Sequence, residues 1–301
     1  MGWPRGTSAD GRPGRIGRVL RSARLWAPIW WAPIWLALAC NGEAVAPPRI
    51  FVPGEDTLGP RAPCIGPYCR ESLLGIYDMH EFYRKIIVTN QVAIVGSHQV
   101  QDRALELAVE VVEEMIAARI DIWPLLVEAE AFVAVMAGNE VTTDIPEHRF
   151  LQDDPDIDWN TRARGLAATP ENPITTIGEE NLLCGESDRY AGESILVHEF
   201  AHSLHALAIN IIDPGFDAEL DSLFLLARAE GLWVDTFAHI SRQEYWAEGV
   251  QSWFNANQGP QDGIHNHVDT RDELLEYDPR LHEVISRYFA ATDWSPSCPS
   301  S

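Results

Sequence analysis

Hydrophobic and polar positions in the middle of the chain predict short strands and one longer helix. Residues 85–95 (KIIVTNQVAIV) and 131–138 (AFVAVMAG) are short, apolar and rich in β-branched side chains, which is typical of buried strands. Residues 100–119 carry apolar side chains at helical spacing, and Ser97 is a candidate N-terminal cap for that helix. Residues 173–178 (PITTIG) indicate a short edge strand.

The remaining globular sequence predicts loop and helix. The stretch 143–172 is rich in proline and aspartate and predicts a long loop. Two largely apolar segments, 193–209 (ESILVHEFAHSLHALAI) and 243–255 (QEYWAEGVQSWFN), predict packed helices. Strands and helices in this order predict an α+β domain.

The N-terminal segment has the layout of an export signal. Residues 1–39 begin with scattered arginines and continue into an apolar run that is too short and too rich in proline for a transmembrane helix. The run ends in LALAC, which resembles a bacterial lipoprotein signal with Cys40 as the lipidated residue. We therefore expect an exported protein, either extracellular or attached to a membrane at the outer envelope through Cys40. Residues 40–70 predict a Pro/Gly-rich tether, which leaves 71–301 as the domain.

Charge and cysteine content limit the partners and the compartment. The net charge is −23, and the predicted signal is basic, so the rest of the chain is even more acidic than this value. Such a charge argues against nucleic acid as a partner. Beyond Cys40, an even number of cysteines suits two disulfides, for which three pairings exist. The spacing in CIGPYC favours Cys64 with Cys69, which leaves Cys184 with Cys298. A zinc site built from these four is the alternative, and their wide scatter argues against it.

The string HEFAH at residues 198–202 predicts a metal site. Consecutive helical residues are rotated by about 100°, so His198 and His202 lie on one face and can direct both imidazoles at one ion. Glu199 follows the first histidine, where its carboxylate can take a proton from water that zinc activates. The bare five-residue string also occurs by chance on surface helices, but here the surrounding positions are mostly apolar, which places the histidines in an interior or a cleft.

The next histidine on this helix does not complete the site. His205 returns to the same face but lies about 10 Å along the helix axis from His198, too far to share one ion. The metzincin pattern requires glycine where this chain has His205 and histidine where it has Ala208. That family is therefore excluded by the motif, and His205 is expected to be a polar residue at the cleft wall.

A third ligand is offered by the second apolar helix. Glu244 and Glu248 are one helical turn apart, so Glu244 can bind zinc while Glu248 accepts the N–H of a ligand histidine. Three aromatic residues in this segment indicate a packed helix rather than a solvated acidic face. Other carboxylates between the two helices remain alternatives: Asp217, Glu219, Asp221, Glu230 and Asp235.

The two helices resemble those of the gluzincin metallopeptidases. The separation from His202 to Glu244 and the sequence EYWAE are most similar to those of the branch that contains anthrax lethal factor and the MtfA-type peptidases. This resemblance implies a zincin-like fold with a small sheet, a backing helix, an HExxH helix and a glutamate helix. It also implies a Zn²⁺ cofactor bound by His198, His202 and Glu244, with Glu199 as the general base and Glu248 supporting a ligand.

The donor that would stabilise the oxyanion of a peptidase is left open. Tyrosine or histidine usually has this role, and several residues flanking the two helices are candidates: Tyr190, His265, His267, Arg271 and Tyr277. Lethal factor has a tyrosine shortly before its glutamate helix, where this chain has His239. The string HNH at 265–267 also occurs in endonucleases, but the acidity of the chain argues against a nuclease.

The sequence thus predicts a zinc metallopeptidase that cleaves a peptide or protein substrate. Two alternatives belong to other classes: a catalytically inactive zincin-like domain that binds a partner at the cell envelope, and a zinc hydrolase of a non-peptide amide. An intact Glu199 argues against the inactive domain.

Overall fold

The computed structural model describes residues 64–296. The predicted signal, Cys40 and most of the predicted tether lie outside these residues. A five-stranded mixed sheet forms one layer, with strands β1 Lys85–Thr89, β2 Val92–Gly96, β3 Phe132–Met136, β4 Gly165–Leu166 and β5 Ile174–Gly178. Their order in the sheet is β1-β2-β3-β5-β4. The central pairs β2–β3 and β3–β5 are parallel, and the outer pairs β1–β2 and β4–β5 are antiparallel.

Helices cover the sheet and continue into a helical C-terminal half. Their bounds are α1 Glu71–Ile76, α2 Asp102–Ile116, α3 Trp123–Glu128, α4 Trp159–Arg162, α5 Glu179–Leu182, α6 Ile195–Leu204, α7 Asn210–Ile212, α8 Phe216–Ala229, α9 Arg242–Trp253, α10 Arg271–Tyr277 and α11 Pro279–Ile285. The predicted α+β class is confirmed, with a small sheet, a backing helix (α2), the HExxH helix (α6) and the glutamate helix (α9).

The predicted strand at 85–95 is wrong as a single element, because the chain reverses inside it. Strands β1 and β2 form a hairpin in which Thr89 pairs with Val92. The two turn residues, Asn90 and Gln91, both have positive φ angles of 43° and 70°. Positive φ at both central residues is the geometry of a tight two-residue hairpin turn. The turn contains no glycine, so the sequence carries only a weak signal for it.

Two further sequence predictions need correction. Strand β5 is not an edge strand, because β4 pairs with it on the side away from β3. Ser97 does not cap α2: the helix follows Gln101, which makes no side-chain cap hydrogen bond, and Ser97 Oγ instead accepts from Gln99 N. The long loop predicted for 143–172 contains 3₁₀ turns, α4 and β4, since its proline and aspartate residues begin short helical turns.

Both faces of the sheet are buried. Alternate residues of β2 pack into two separate cores, with Ile94 on the side of α2 and Val95 on the side of α1. The larger core also includes apolar side chains of α6 and α9. Helix α11 packs closely on α9 at Gly249, where an added Cβ would lie 2.6 Å from the Leu281 side chain. The helix of the HExxH motif is therefore held between the sheet and the helical half.

The N-terminal end of the described chain is closed by a disulfide. Cys64 and Cys69 are bonded, with Cα atoms 5.7 Å apart, so this predicted pairing is confirmed. Tyr68, inside the loop, donates to Glu106 Oε1 of α2 at 2.8 Å. Cys184 is also disulfide-bonded. Its expected partner, Cys298, lies outside the described residues.

Candidate metal centre

Helix α6 carries His198, Glu199 and His202 in a buried setting. Ser194 is its N-cap and accepts a hydrogen bond from the backbone of Val197, while Asn181 Oδ1 accepts from Ile195 N at 2.9 Å. The helical run continues through a π-helical turn at His205–Ile209. Residues 195–212 are apolar enough to span a membrane, but 72% of this run is buried inside the fold, as in the core helix of a globular protein.

Helix α9 places Glu244 beside the two histidines. Ser241 caps this helix and accepts a hydrogen bond from Glu244 N, which puts the glutamate in the first turn. The indole of Trp246, two residues further along the same helix, packs against the core and is fully buried. Glu244 is 3% exposed, so its carboxylate faces the interior between α6 and α9.

The three predicted ligands converge on one point. His198 Nε2 lies 3.1 Å from Glu244 Oε2 and 3.1 Å from His202 Nε2, and His202 Nε2 lies 3.7 Å from Glu244 Oε2. Tetrahedral ligands at about 2.0–2.1 Å from zinc are about 3.3–3.4 Å apart. The spacing of this group therefore fits a zinc ion, and within the described residues it is the group of histidine, cysteine and carboxylate side chains that can hold a metal.

The charges in this group favour a cation. Burial alone would raise the pKa of Glu244, but hydrogen bonds with His198 and His202 outweigh burial and hold that pKa well below its usual range. Burial would likewise lower the pKa of His198, yet contact with Glu244 and the nearby carboxylates of Glu199 and Glu248 raises it well above its usual range. The carboxylates thus favour a positive charge between the three side chains, which a metal ion can supply instead of a proton.

Glu199 is positioned to handle a proton. It is 4% exposed, and burial raises the pKa of its carboxyl group. Its Oε2 has no hydrogen-bond partner among residues 64–296, which is costly for a buried carboxylate unless another group or water fills the role. Gly165 of β4 packs against it, and an added Cβ there would lie 3.1 Å from Glu199 Cγ. This arrangement suits a general base.

Gln251 is a residue of the site that the sequence analysis missed. His198 Nδ1 lies 2.7 Å from Gln251 Oε1. Glu248, the expected acceptor of this N–H, is at 3.7 Å, beyond hydrogen-bond distance. The sequence did contain a signal for Gln251, because residues 244, 248 and 251 follow the i, i+4, i+7 spacing of one helix face.

His265, the first histidine of the HNH string, lies behind the metal ligands. The His265 side chain is 3% exposed, and its Nδ1 lies 2.6 Å from Asp262 Oδ2. Its Nε2 faces Glu248 Oε2 at 3.5 Å and Glu193 Oε2 at 3.9 Å. Burial disfavours the imidazolium, but these carboxylates outweigh it and raise the pKa of His265 to about 10. The surrounding carboxylates therefore favour the protonated form of His265.

The remaining oxyanion candidates are Tyr190, His267, Arg271 and Tyr277. Tyr190 is partly buried and its hydroxyl donates to the Arg162 carbonyl at 3.4 Å. Burial and, to a smaller extent, the Glu199 charge raise the pKa of this hydroxyl. The Tyr277 hydroxyl accepts from Trp233 N at 2.9 Å, and the His267 ring packs edge-on against Tyr277. Arg271 donates to the carbonyls of Trp253 and Thr292. These last three residues are engaged in packing around α10.

His205 and the alternative carboxylates lie away from the metal ligands. His205 Nε2 lies 2.8 Å from Asp217 Oδ1, and its ring packs against Phe216. Four of the alternatives form ion pairs, Asp217 and Asp221 with Arg242, Glu219 with Arg287 and Glu230 with Arg280. Asp235 is exposed. Only Glu244, of the six carboxylates considered, joins the two histidines in the described structure.

No protein-family model and no curated protein matches the chain. Among solved structures, a Pro-Pro endopeptidase from Paenibacillus alvei is similar, with 14% sequence identity and a TM-score of 0.42, covering 65% of this chain and 97% of that chain. A likeness of this size carries no functional argument.

Proposed function

We propose that this protein is a zinc-dependent metallopeptidase of the gluzincin type. His198, His202 and Glu244 would hold the zinc ion, and Glu199 would be the general base. The observation that carries the proposal is the spacing of the three ligand atoms, 3.1, 3.1 and 3.7 Å, close to the edges of a tetrahedral zinc site. The buried Oε2 of Glu199, which lacks a protein partner in the described chain, supports it independently.

The proposed reaction is hydrolysis of a peptide bond. Bound zinc supplies a Lewis acid that polarises a carbonyl group and lowers the pKa of water to about 7. Glu199 takes a proton from the attacking water as the new C–O bond forms. Glu199 then delivers that proton to the nitrogen of the leaving amine as the C–N bond breaks.

Two alternatives share the same metal site. An inactive zincin-like binding domain would need no general base, and the buried, unpartnered carboxylate oxygen of Glu199 argues against it. A zinc hydrolase of a non-peptide amide would use the same residues, and only substrate tests separate it from a peptidase.

Export to an oxidising compartment is part of the proposal. The disulfide between Cys64 and Cys69 suits such a compartment. A lipid on Cys40 would attach the protein to a membrane. The intact mass of protein extracted from membranes tests this: we expect a chain that begins at Cys40 with lipid attached, whereas a chain that retains residues 1–39 would contradict it.

The activity is tested in two steps. Elemental analysis of purified protein should find about one zinc per chain. A peptide-library digest should then show cleavage that a zinc chelator abolishes and added zinc restores. Zinc without cleavage of any peptide would favour one of the two alternatives, and absence of zinc binding would contradict the metal site itself.

A further inference from the structure

The side-chain amide of Gln251 has a single orientation that its neighbours determine. Gln251 is fully buried. Its Nε2 lies 3.3 Å from the main-chain carbonyl of Ser194 and 3.0 Å from Glu193 Oε2. A main-chain carbonyl only accepts hydrogen bonds, so the NH₂ group must face Ser194. The amide oxygen therefore faces His198.

This orientation determines which nitrogen of His198 carries hydrogen. An amide oxygen only accepts, so at 2.7 Å from Gln251 Oε1 the Nδ1 atom of His198 must be the donor. The Nε2 atom then keeps its lone pair when the ring is neutral. That atom lies 3.1 Å from both His202 Nε2 and Glu244 Oε2, at the point where a metal ion would bind.

Glu248 is engaged elsewhere. Its Oε2 accepts from Asn257 Nδ2 at 3.1 Å and faces His265 Nε2 at 3.5 Å, while its Oε1 is 3.7 Å from His198 Nδ1. An uncharged acceptor at His198 also avoids bringing another carboxylate into contact with a ring already close to Glu244. Gln251 thus accepts the hydrogen bond from His198 Nδ1, while Glu248 contacts Asn257 and His265 instead.

We infer that Gln251 is the positioning residue of the metal centre, holding His198 in the tautomer that presents Nε2 to the ion, with Glu193 and the Ser194 carbonyl holding Gln251. The inference rests on the proposed metal site and adds a residue to it. It also gives the start of α6 a role, because Ser194 is both the cap of that helix and an anchor of the amide.

The first measurement uses the unaltered protein loaded with zinc. Nitrogen-15 NMR of the histidine rings should show His198 with its hydrogen on Nδ1 and its metal bond at Nε2. The reverse arrangement, with hydrogen on Nε2, would overturn the inference without any variant. Failure of the unaltered protein to bind zinc would instead overturn the proposed function, and the inference with it.

The second measurement compares variants by competition for zinc with a chromogenic chelator. Gln251→Met keeps the length of the side chain but removes the acceptor, and we expect zinc affinity to fall about 10–100-fold. Gln251→Glu keeps the oxygen that faces His198 but replaces the NH₂ group, which donates to Glu193 Oε2 and the Ser194 carbonyl, by a second oxygen, so it should also bind zinc more weakly than the parent. Gln243→Met, at an exposed position of the same helix, is the matched control and should bind zinc like the parent.

Folding is checked by thermal unfolding of the same variants. If Gln251→Met binds zinc as tightly as the parent, with the same ring tautomer, Gln251 has no positioning role. If it does not fold, the tautomer measured in the parent still decides. Parent-like zinc affinity in Gln251→Glu would contradict the hold by Glu193 and the Ser194 carbonyl, because its carboxylate has no N–H to donate to them.

Discussion

The indole Nε1 of Trp246 donates a hydrogen bond to the main-chain carbonyl of Ala201 at 3.0 Å. Trp246 lies on α9, two residues after Glu244, and Ala201 lies on α6, one residue before His202. This bond joins the helix of the third ligand to the helix of the first two. The metal centre therefore depends on how these two helices pack.

Trp246→Phe should weaken both the fold and the metal site. It removes this hydrogen bond and part of a fully buried ring, so we expect a loss of about 1–3 kcal/mol in the free energy of unfolding and weaker zinc binding. Trp253→Phe is the matched control, since Trp253 Nε1 donates to the main-chain carbonyl of Ala290, which lies outside α6. Urea denaturation and zinc competition should show destabilisation in both variants and weaker zinc binding only for Trp246→Phe.

Glu244→Ala should lower zinc affinity sharply. The change removes the ligand oxygen that lies 3.1 Å from His198 Nε2. Glu219→Ala is the control, because Glu219 pairs with Arg287 on the surface and should leave zinc binding intact. Isothermal titration with zinc distinguishes them. Tight zinc binding by Glu244→Ala together with its loss in Glu219→Ala would assign the protein to another zincin branch.

Glu199→Gln should separate metal binding from turnover. The amide keeps the size of the side chain but cannot take a proton, so zinc should remain bound while hydrolysis falls by orders of magnitude. Glu186→Gln, at an exposed position before α6, should behave like the parent. Steady-state cleavage of a substrate found in the library digest measures the difference. Undiminished hydrolysis by Glu199→Gln would remove Glu199 as the base.

Gly165→Ala should disturb the base without touching a ligand. An added Cβ would lie 2.5 Å from the Ile195 side chain and 3.1 Å from Glu199 Cγ. We expect a loss of about 1–3 kcal/mol in stability from overpacking and reduced turnover, with zinc retained. Gly75→Ala, where an added Cβ meets nothing within 4 Å, is the control. Thermal unfolding and steady-state kinetics of the zinc-loaded variants measure both effects. Equal stability and equal turnover in Gly165→Ala and Gly75→Ala would contradict this prediction.

The buried cation at His265 predicts a dependence of stability on pH. Its pKa is raised from 6.5 to about 10 in the folded protein, so the folded state binds a proton that the unfolded state releases between those values. Its stabilising contribution is complete below pH 6.5 and is lost as the pH rises toward 10. The difference in unfolding free energy between parent and His265→Gln, on the order of a few kcal/mol, should therefore shrink across this range. A difference that does not change with pH would contradict the charged state.

Sequence alone determined the features that depend on local periodicity. Helical spacing placed His198 and His202 on one face, and it placed Glu244 and Glu248 on one face of another helix. Short β-branched runs marked strands at β3 and β5. These features depend on neighbours within one or two turns of the chain, so a single segment contains the whole signal.

Tertiary structure decided what lies between segments. The hairpin at Asn90 and Gln91 has no glycine, and β4 contains only two residues, so neither the reversal nor the interior place of β5 was visible in the pattern. The contact of His198 with Gln251 joins residues 53 positions apart. Which of two polar side chains on one helix face reaches a histidine depends on the packing and rotation of that helix against another. Local periodicity does not contain that information.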